Sequence, residues 1–98
     1  MAHRVTWSPR TLADLEAIAA YIAADSPSYA KAVVRRVVNS TRTLARFPQS
    51  GRVVPEFGRD DIRELFAYSY RIIYQVHETG VVVAAVVHGK RVLDPGHE

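Results

Sequence analysis

Cysteine is missing from this sequence, methionine and tryptophan occur once each, and five glycines and five prolines are all that punctuate its 98 residues. Without cysteine there is neither a disulfide framework nor a thiolate metal site, so packing alone must hold so short a chain. No run of about 18 apolar residues is available to span a bilayer, and the start Met1-Ala2-His3-Arg4-Val5 lacks the apolar stretch of a signal peptide. A cytoplasmic protein with no membrane partner is the expectation. Glycine-rich phosphate loops, serine-elbow motifs and helical histidine pairs are absent too, which sets aside the chemistries they serve. His3, His77, His88 and His97 are scattered, so neither a metal site nor a cofactor is expected.

What is present fits a folded protein: 48% of residues are hydrophobic and 23% charged. The length suits one domain spanning residues 1–98. A formal charge of +3 and a pI near 9.6 favour an acidic partner, either nucleic acid or an acidic protein covering a basic face.

Along the chain, Val5 and Trp7 alternate in HRVTW as in a strand, which stops at Ser8-Pro9. Serine followed by proline is a helix start, and Leu12, Leu15, Ile18, Ala19 and Ile22 then mark an apolar stripe at helical spacing. Asp25-Ser26-Pro27 repeats the start signal with almost no linker, predicting a second helix folded back on the first. Its stripe runs through Ala30, Val33, Val34, Val37, Val38, Thr41, Leu44 and Ala45 to a stop at Pro48. Lys31, Arg35, Arg36 and Arg42 fall on the opposite, basic face. Leu15 and Val34 are expected inside the hairpin interface. Residues 49–61 keep neither period and read as a crossing loop. Ile62 to Phe66, Tyr70 to His77 and Val81 to His88 read as an antiparallel three-stranded meander. The last of these is apolar on both faces, which predicts a central strand covered on two sides. A short polar tail, Val92 to Glu98, is expected to be mobile. The fold class is therefore α+β: an N-terminal strand, an antiparallel helical hairpin, then the meander.

Arg71 stands out, because a guanidinium between Tyr70, Ile72, Ile73 and Tyr74 must reach solvent or an anionic partner. A three-residue turn, Glu78-Thr79-Gly80 with Gly80 left-handed, sets Arg71 opposite Val87 and on one face with Gly89 and Arg91. A two-residue turn, Thr79-Gly80, sets Arg71 opposite His88 and lowers the histidine pKa by like-charge repulsion. The glycine position favours the first.

Several strings, in order across almost the whole chain, carry a resemblance. They are Ser8-Pro9, Asp14-Leu15 with Ile18, Tyr21-Ile22-Ala23, Phe47-Pro48, Gly51-Arg52, Val54-Pro55-Glu56, Ile62-Arg63-Glu64-Leu65, Tyr70-Arg71-Ile72-Ile73-Tyr74 and His88-Gly89-Lys90-Arg91. With them the chain resembles the ParE/RelE toxin superfamily, closest to its ParE-like branch. The resemblance implies a four-stranded sheet under a helical hairpin, and a cognate antitoxin with an acidic toxin-binding segment. Operator DNA would be reached only through that antitoxin.

Two activities follow from the resemblance. ParE-like members inhibit DNA gyrase without being nucleases; RelE-like members cut messenger RNA on the ribosome. For cleavage, Arg71 and Arg91 match the arginines of RelE-like enzymes, and Glu56 or His88 would move the proton. The lysine-rich patch and the tyrosine after His88-Gly89-Lys90-Arg91 found in RelE-like enzymes are missing, which favours the gyrase branch. There Arg71 would brace the fold against Glu56 or Glu64. Arg63, Arg71, Tyr74, His88, Lys90 and Arg91 are the expected antitoxin- or target-binding residues.

Overall fold

The computed structural model describes residues 2–93. From Asp94 onward the expected tail, His97 included, lies outside the described residues. The elements are β1 (Arg4–Trp7), α1 (Pro9–Ala23), α2 (Pro27–Arg42), a 3-10 turn (Thr43–Ala45), β2 (Arg52–Val53), β3 (Ile62–Ala67), β4 (Tyr70–Val76) and β5 (Gly80–His88). The α+β class and the order of elements follow the sequence reading, with one addition. The crossing loop contributes β2, which pairs antiparallel to β3 through Arg52–Glu64 and Val53–Arg63. The sheet thus has five strands rather than four, in the order β1-β5-β4-β3-β2.

Both helices begin where serine and proline place them. Ser8 Oγ accepts from the Thr11 amide at 3.1 Å, and Ser26 Oγ accepts from the Tyr29 amide at 3.2 Å, each satisfying a first-turn donor that would otherwise lack a partner. The faces differ slightly from the expected stripes. α1 buries Thr11, Leu15 and Ile22, and Leu12 is 51% exposed. Thr11 reads as polar in sequence, yet its hydroxyl donates to the Val83 carbonyl at 2.8 Å and so loses little on burial. α2 buries Ala30, Val33, Val37 and Thr41. Val34, expected inside, is only partly buried at the border of the cluster. Valine is an indifferent helix former, and burial of Val33 and Val37, roughly 2 kcal/mol each, outweighs that propensity.

β5 is central, as expected, between β4 and a parallel β1. One of its faces packs Val81, Val83 and Val86 under the helices. The other packs Ala85 and Val87 with Ile73 and Val54, covered by Phe57, Ile62 and Leu93.

The β4–β5 turn corrects the expected geometry. The His77 amide donates to the Gly80 carbonyl at 2.8 Å, leaving a two-residue connection, Glu78-Thr79. Gly80 opens β5 and is not left-handed; among the described residues it is Gly58, at φ 62, that is. The register nevertheless ends with Arg71 opposite Val87 and Tyr70 opposite His88. A bulge makes the difference: Ile73 faces Ala85 while Tyr74 faces Val83, leaving Ala84 as the extra residue.

The start of α1 clasps that bulge. The Ser8 amide donates to Val83 O at 2.9 Å and Ser8 Oγ to Ala84 O at 3.0 Å. Asp14 Oδ2 accepts from the Val86 amide at 3.0 Å. Backbone groups released by the bulge are thereby satisfied from the helix.

Candidate functional site

Strand alternation sends Arg71 away from the helices, to the face shared by Ile73 and Val87. There it is 4% exposed, and each of its guanidinium nitrogens has a partner. Its Nη1 and Nη2 donate to the two Glu56 oxygens at 2.7 and 2.8 Å, a bidentate pair. Its Nε donates to Glu64 Oε1 at 2.6 Å, and Nη1 also donates to the Arg91 carbonyl at 2.9 Å. Glu64, 1% exposed, takes Arg52 Nε on its other oxygen at 2.5 Å. Arg52 in turn lies over the Phe66 ring at 5.1 Å. Two carboxylates and two guanidiniums thus form a neutral, hydrogen-bonded network.

The network joins four segments. Glu56 comes from the crossing loop, Glu64 from β3, Arg71 from β4, and the stretch after β5 is tied in through the Arg91 carbonyl and the Leu93 amide, which donates to Glu56 at 3.0 Å. The hydrogen bonds from Arg71 first, then that from Leu93, hold the Glu56 pKa down at about 2. The same pair with Glu56, reinforced by Glu64, pushes the Arg71 pKa upward.

The remaining expected site residues do not converge on this point. His88 pairs with Tyr70, on the helix side of the sheet, their rings edge to face at 5.7 Å. It is exposed, and its Nδ1 accepts from the Lys90 amide at 3.2 Å. The Lys90 and Arg91 side chains are exposed. Tyr74, expected at a binding surface, is fully buried instead. Alternation places it with Tyr70 and Ile72 under the helices, its hydroxyl accepts from the Gly51 amide at 2.9 Å, and burial raises its pKa. Arg63 is occupied too: it donates to Gly51 O at 2.9 Å and to Asp60 Oδ1 at 3.0 Å, bracing the crossing loop.

Beside the network the same face of the sheet carries a cavity of about 480 Å³ lined by Phe57, Ile62, Ile73, Ala85 and Leu93, with Arg10 and Arg91 also on its wall. Among the described residues no group of three His, Cys, Asp or Glu side chains is placed to hold a metal. No described helix is long and apolar enough to cross a membrane. Sequence reasoning missed Arg52 and Asp14. Gly51-Arg52 was visible as a string, but the pairing of β2 that aims Arg52 at Glu64 was not.

A helical hairpin laid on one face of a five-stranded sheet, with an arginine–glutamate network on the other, defines a fold with solved counterparts. The toxin–antitoxin complex RelBE2 of Mycobacterium tuberculosis contains a chain that matches at TM-score 0.58 and 20% identity, covering 90% of this chain and 92% of that one. The chromosomal ParDE toxin–antitoxin system of P. aeruginosa gives TM-score 0.72 at 19% identity, covering 89% and 96%. In sequence, Toxin RelE2 of Caulobacter vibrioides is 34% identical over 89 residues, 90% of this chain and 97% of that one. The putative toxin Y4kP of Sinorhizobium fredii is 43% identical over 49 residues, a match spanning about half of each chain. Residues 5–93 match the model of the ParE toxin of the type II toxin–antitoxin system parDE. The chain belongs to this ParE toxin family, and is a toxin of the type II toxin–antitoxin class.

Proposed function

We propose that this toxin acts as a ParE-like inhibitor of DNA gyrase and is neutralised by a cognate antitoxin with an acidic binding segment. The observation that carries the choice of target is that every guanidinium nitrogen of Arg71 is engaged within the fold. A cation that is to stabilise a cleaving phosphate must present free donors to it, and four donor contacts of Arg71 are spent on Glu56, Glu64 and the Arg91 carbonyl. Glu56, held at about 2, is a carboxylate of very low basicity and a poor proton acceptor near neutral pH. His88 lies on the opposite face of the sheet from Arg71. Arg71 and Glu56 are thus engaged with each other and His88 lies apart from them, which supports a toxin that binds rather than cuts.

An antitoxin of acidic character matches the basic charge of the chain, and the ParDE and RelBE2 chains it resembles come from toxin–antitoxin assemblies. The test sets purified toxin against gyrase supercoiling and, in parallel, against ribosome-bound message. Inhibited supercoiling with accumulated DNA breaks, relieved by antitoxin, is the expected result. Message cleavage that disappears in a folded Arg71→Ala variant would overturn it in favour of a RelE-like endoribonuclease.

A further inference from the structure

The end of the sheet at the β3–β4 hairpin is built around a strained residue. Ala67 pairs with Tyr70, so Tyr68 and Ser69 form a two-residue turn. Tyr68 holds φ 54, and among the described residues it is the one non-glycine in the left-handed region. Glycine fills the first position of such a turn without strain, whereas a tyrosine Cβ crowds its own backbone there. The turn is held in place, because the Gly89 amide donates to the Ser69 carbonyl at 2.6 Å. A ring placed for packing would be buried, yet Tyr68 is 49% exposed. Strain retained beneath an exposed aromatic points to a contact outside the fold.

Phe66, two residues earlier, is 50% exposed and lies on the other face of the sheet, opposite Arg71. Tyr68 turns to the helix side, where it meets Tyr29 edge to face at 5.5 Å. Each ring carries a guanidinium: Arg36 is 5.4 Å from the centre of Tyr68, and Arg52 is 5.1 Å from the centre of Phe66. Both arginines are exposed, and Arg52 is fixed in place by the bond from its Nε to Glu64. Aromatic rings and arginine are the side chains that dominate the energetics of protein–protein contacts. In the segments that make up this end, 62–71 and 86–91, the sole acidic residue is Glu64, which is 1% exposed.

We propose that this hairpin end is the surface by which the toxin grips its protein target, and that the target meets it with an acidic cleft. The proposal rests on the reading of a toxin that binds rather than cuts. Because the rings of Phe66 and Tyr68 stand on opposite faces of the sheet, one partner reaches both by enclosing the turn, which suits a folded cleft better than an extended segment. Carboxylates on the cleft walls would meet the guanidiniums of Arg36 and Arg52. An antitoxin segment is better matched by the apolar cavity of about 590 Å³ between α1 and α2, which Lys31 and Arg35 rim.

The experiment compares Phe66→Thr/Tyr68→Asn with wild type for thermal melting, binding to purified gyrase, binding to the cognate antitoxin and growth arrest on induction. Asparagine tolerates the left-handed turn and threonine suits the strand, so the melting temperature is expected to stay within about 5 °C. Tyr68→Asn alone, which relaxes the turn, carries the same test should the double variant melt early. Affinity for gyrase is expected to fall by about thirtyfold or more, and arrest to be lost, with antitoxin affinity unchanged. Phe47→Ser removes a ring that is 63% exposed near the opposite end of the sheet, where His3 meets Ala45, and is expected to arrest growth as wild type does. Arrest by the folded double variant overturns the proposal. So does loss of antitoxin affinity with gyrase affinity intact, which would assign this end to the antitoxin. If wild type does not bind gyrase, but arrest without message cleavage still needs both rings, the gyrase reading fails and the docking end stands with another protein target. Message cleavage that needs the same rings assigns the end to RNA and overturns it.

Discussion

An unpaired guanidinium where Arg71 stands would cost several kcal/mol, and Glu56 and Glu64 together remove that cost. Removing one carboxylate restores it. Glu64→Gln is expected to lower the unfolding free energy by about 3 kcal/mol, read as a lower urea midpoint with unchanged slope. Glu56 gives the molecule a pH dependence of definite sign. Because its folded pKa is depressed to about 2, its contribution is complete above the ordinary carboxylate range and is lost as pH falls from about 5 toward 2. The loss is about 2–3 kcal/mol, and Glu56→Gln is expected to flatten the acid limb of a stability–pH curve. Gly51 is equally constrained, since a Cβ there would collide with the Glu64 carbonyl and lie 2.6 Å from the Tyr74 hydroxyl. Gly51→Ala is expected to cost about 1–3 kcal/mol in chemical denaturation.

At the scale of elements, the helical hairpin was legible because its signals are local. Serine–proline starts and apolar spacing need no partner to be read. What escaped was the exact angle of each stripe, since Thr11 counts as polar until Val83 is known to accept its hydroxyl. Adjacent valines in α2 separate the two cases: Val33→Asp is expected to unfold the protein, while Val34→Asp should retain a cooperative melt. Circular dichroism on both variants decides it. The β4–β5 turn was misread, yet Arg71 was placed opposite Val87 correctly. One residue too many was assigned to the turn, and the bulge at Ala84 supplies that residue inside the strand. No local pattern announces the bulge, because the groups that stabilise it, Ser8 and Asp14, lie more than 70 residues away.

For the whole molecule, the apolar character of β5 correctly announced a second covered face, but not its cover. Val54, Phe57 and Leu93 provide it, fastened by the bond from the Leu93 amide to Glu56. The ion-pair partners of Arg71 were read as alternatives, and the fold uses both, because β3 and the crossing loop approach β4 together. Removing residues 91–98 is expected to expose Ile73 and Ala85, lower the melting temperature by about 10 °C and raise binding of a hydrophobic dye.

β5 sits in the middle of the sheet, with the first strand of the chain on one side of it and β4 on the other. During synthesis the two helices emerge long before the strand that supports them. β1 must wait for Val81 to Val83, and the start of α1 for the bulge that it clasps. A ribosome-bound chain halted at residue 79 is expected to remain sensitive to protease, and to become resistant only once His88 has cleared the exit tunnel. The sheet is therefore completed only when β5 is made, and a chain halted before that strand is expected to lack the folded toxin surface.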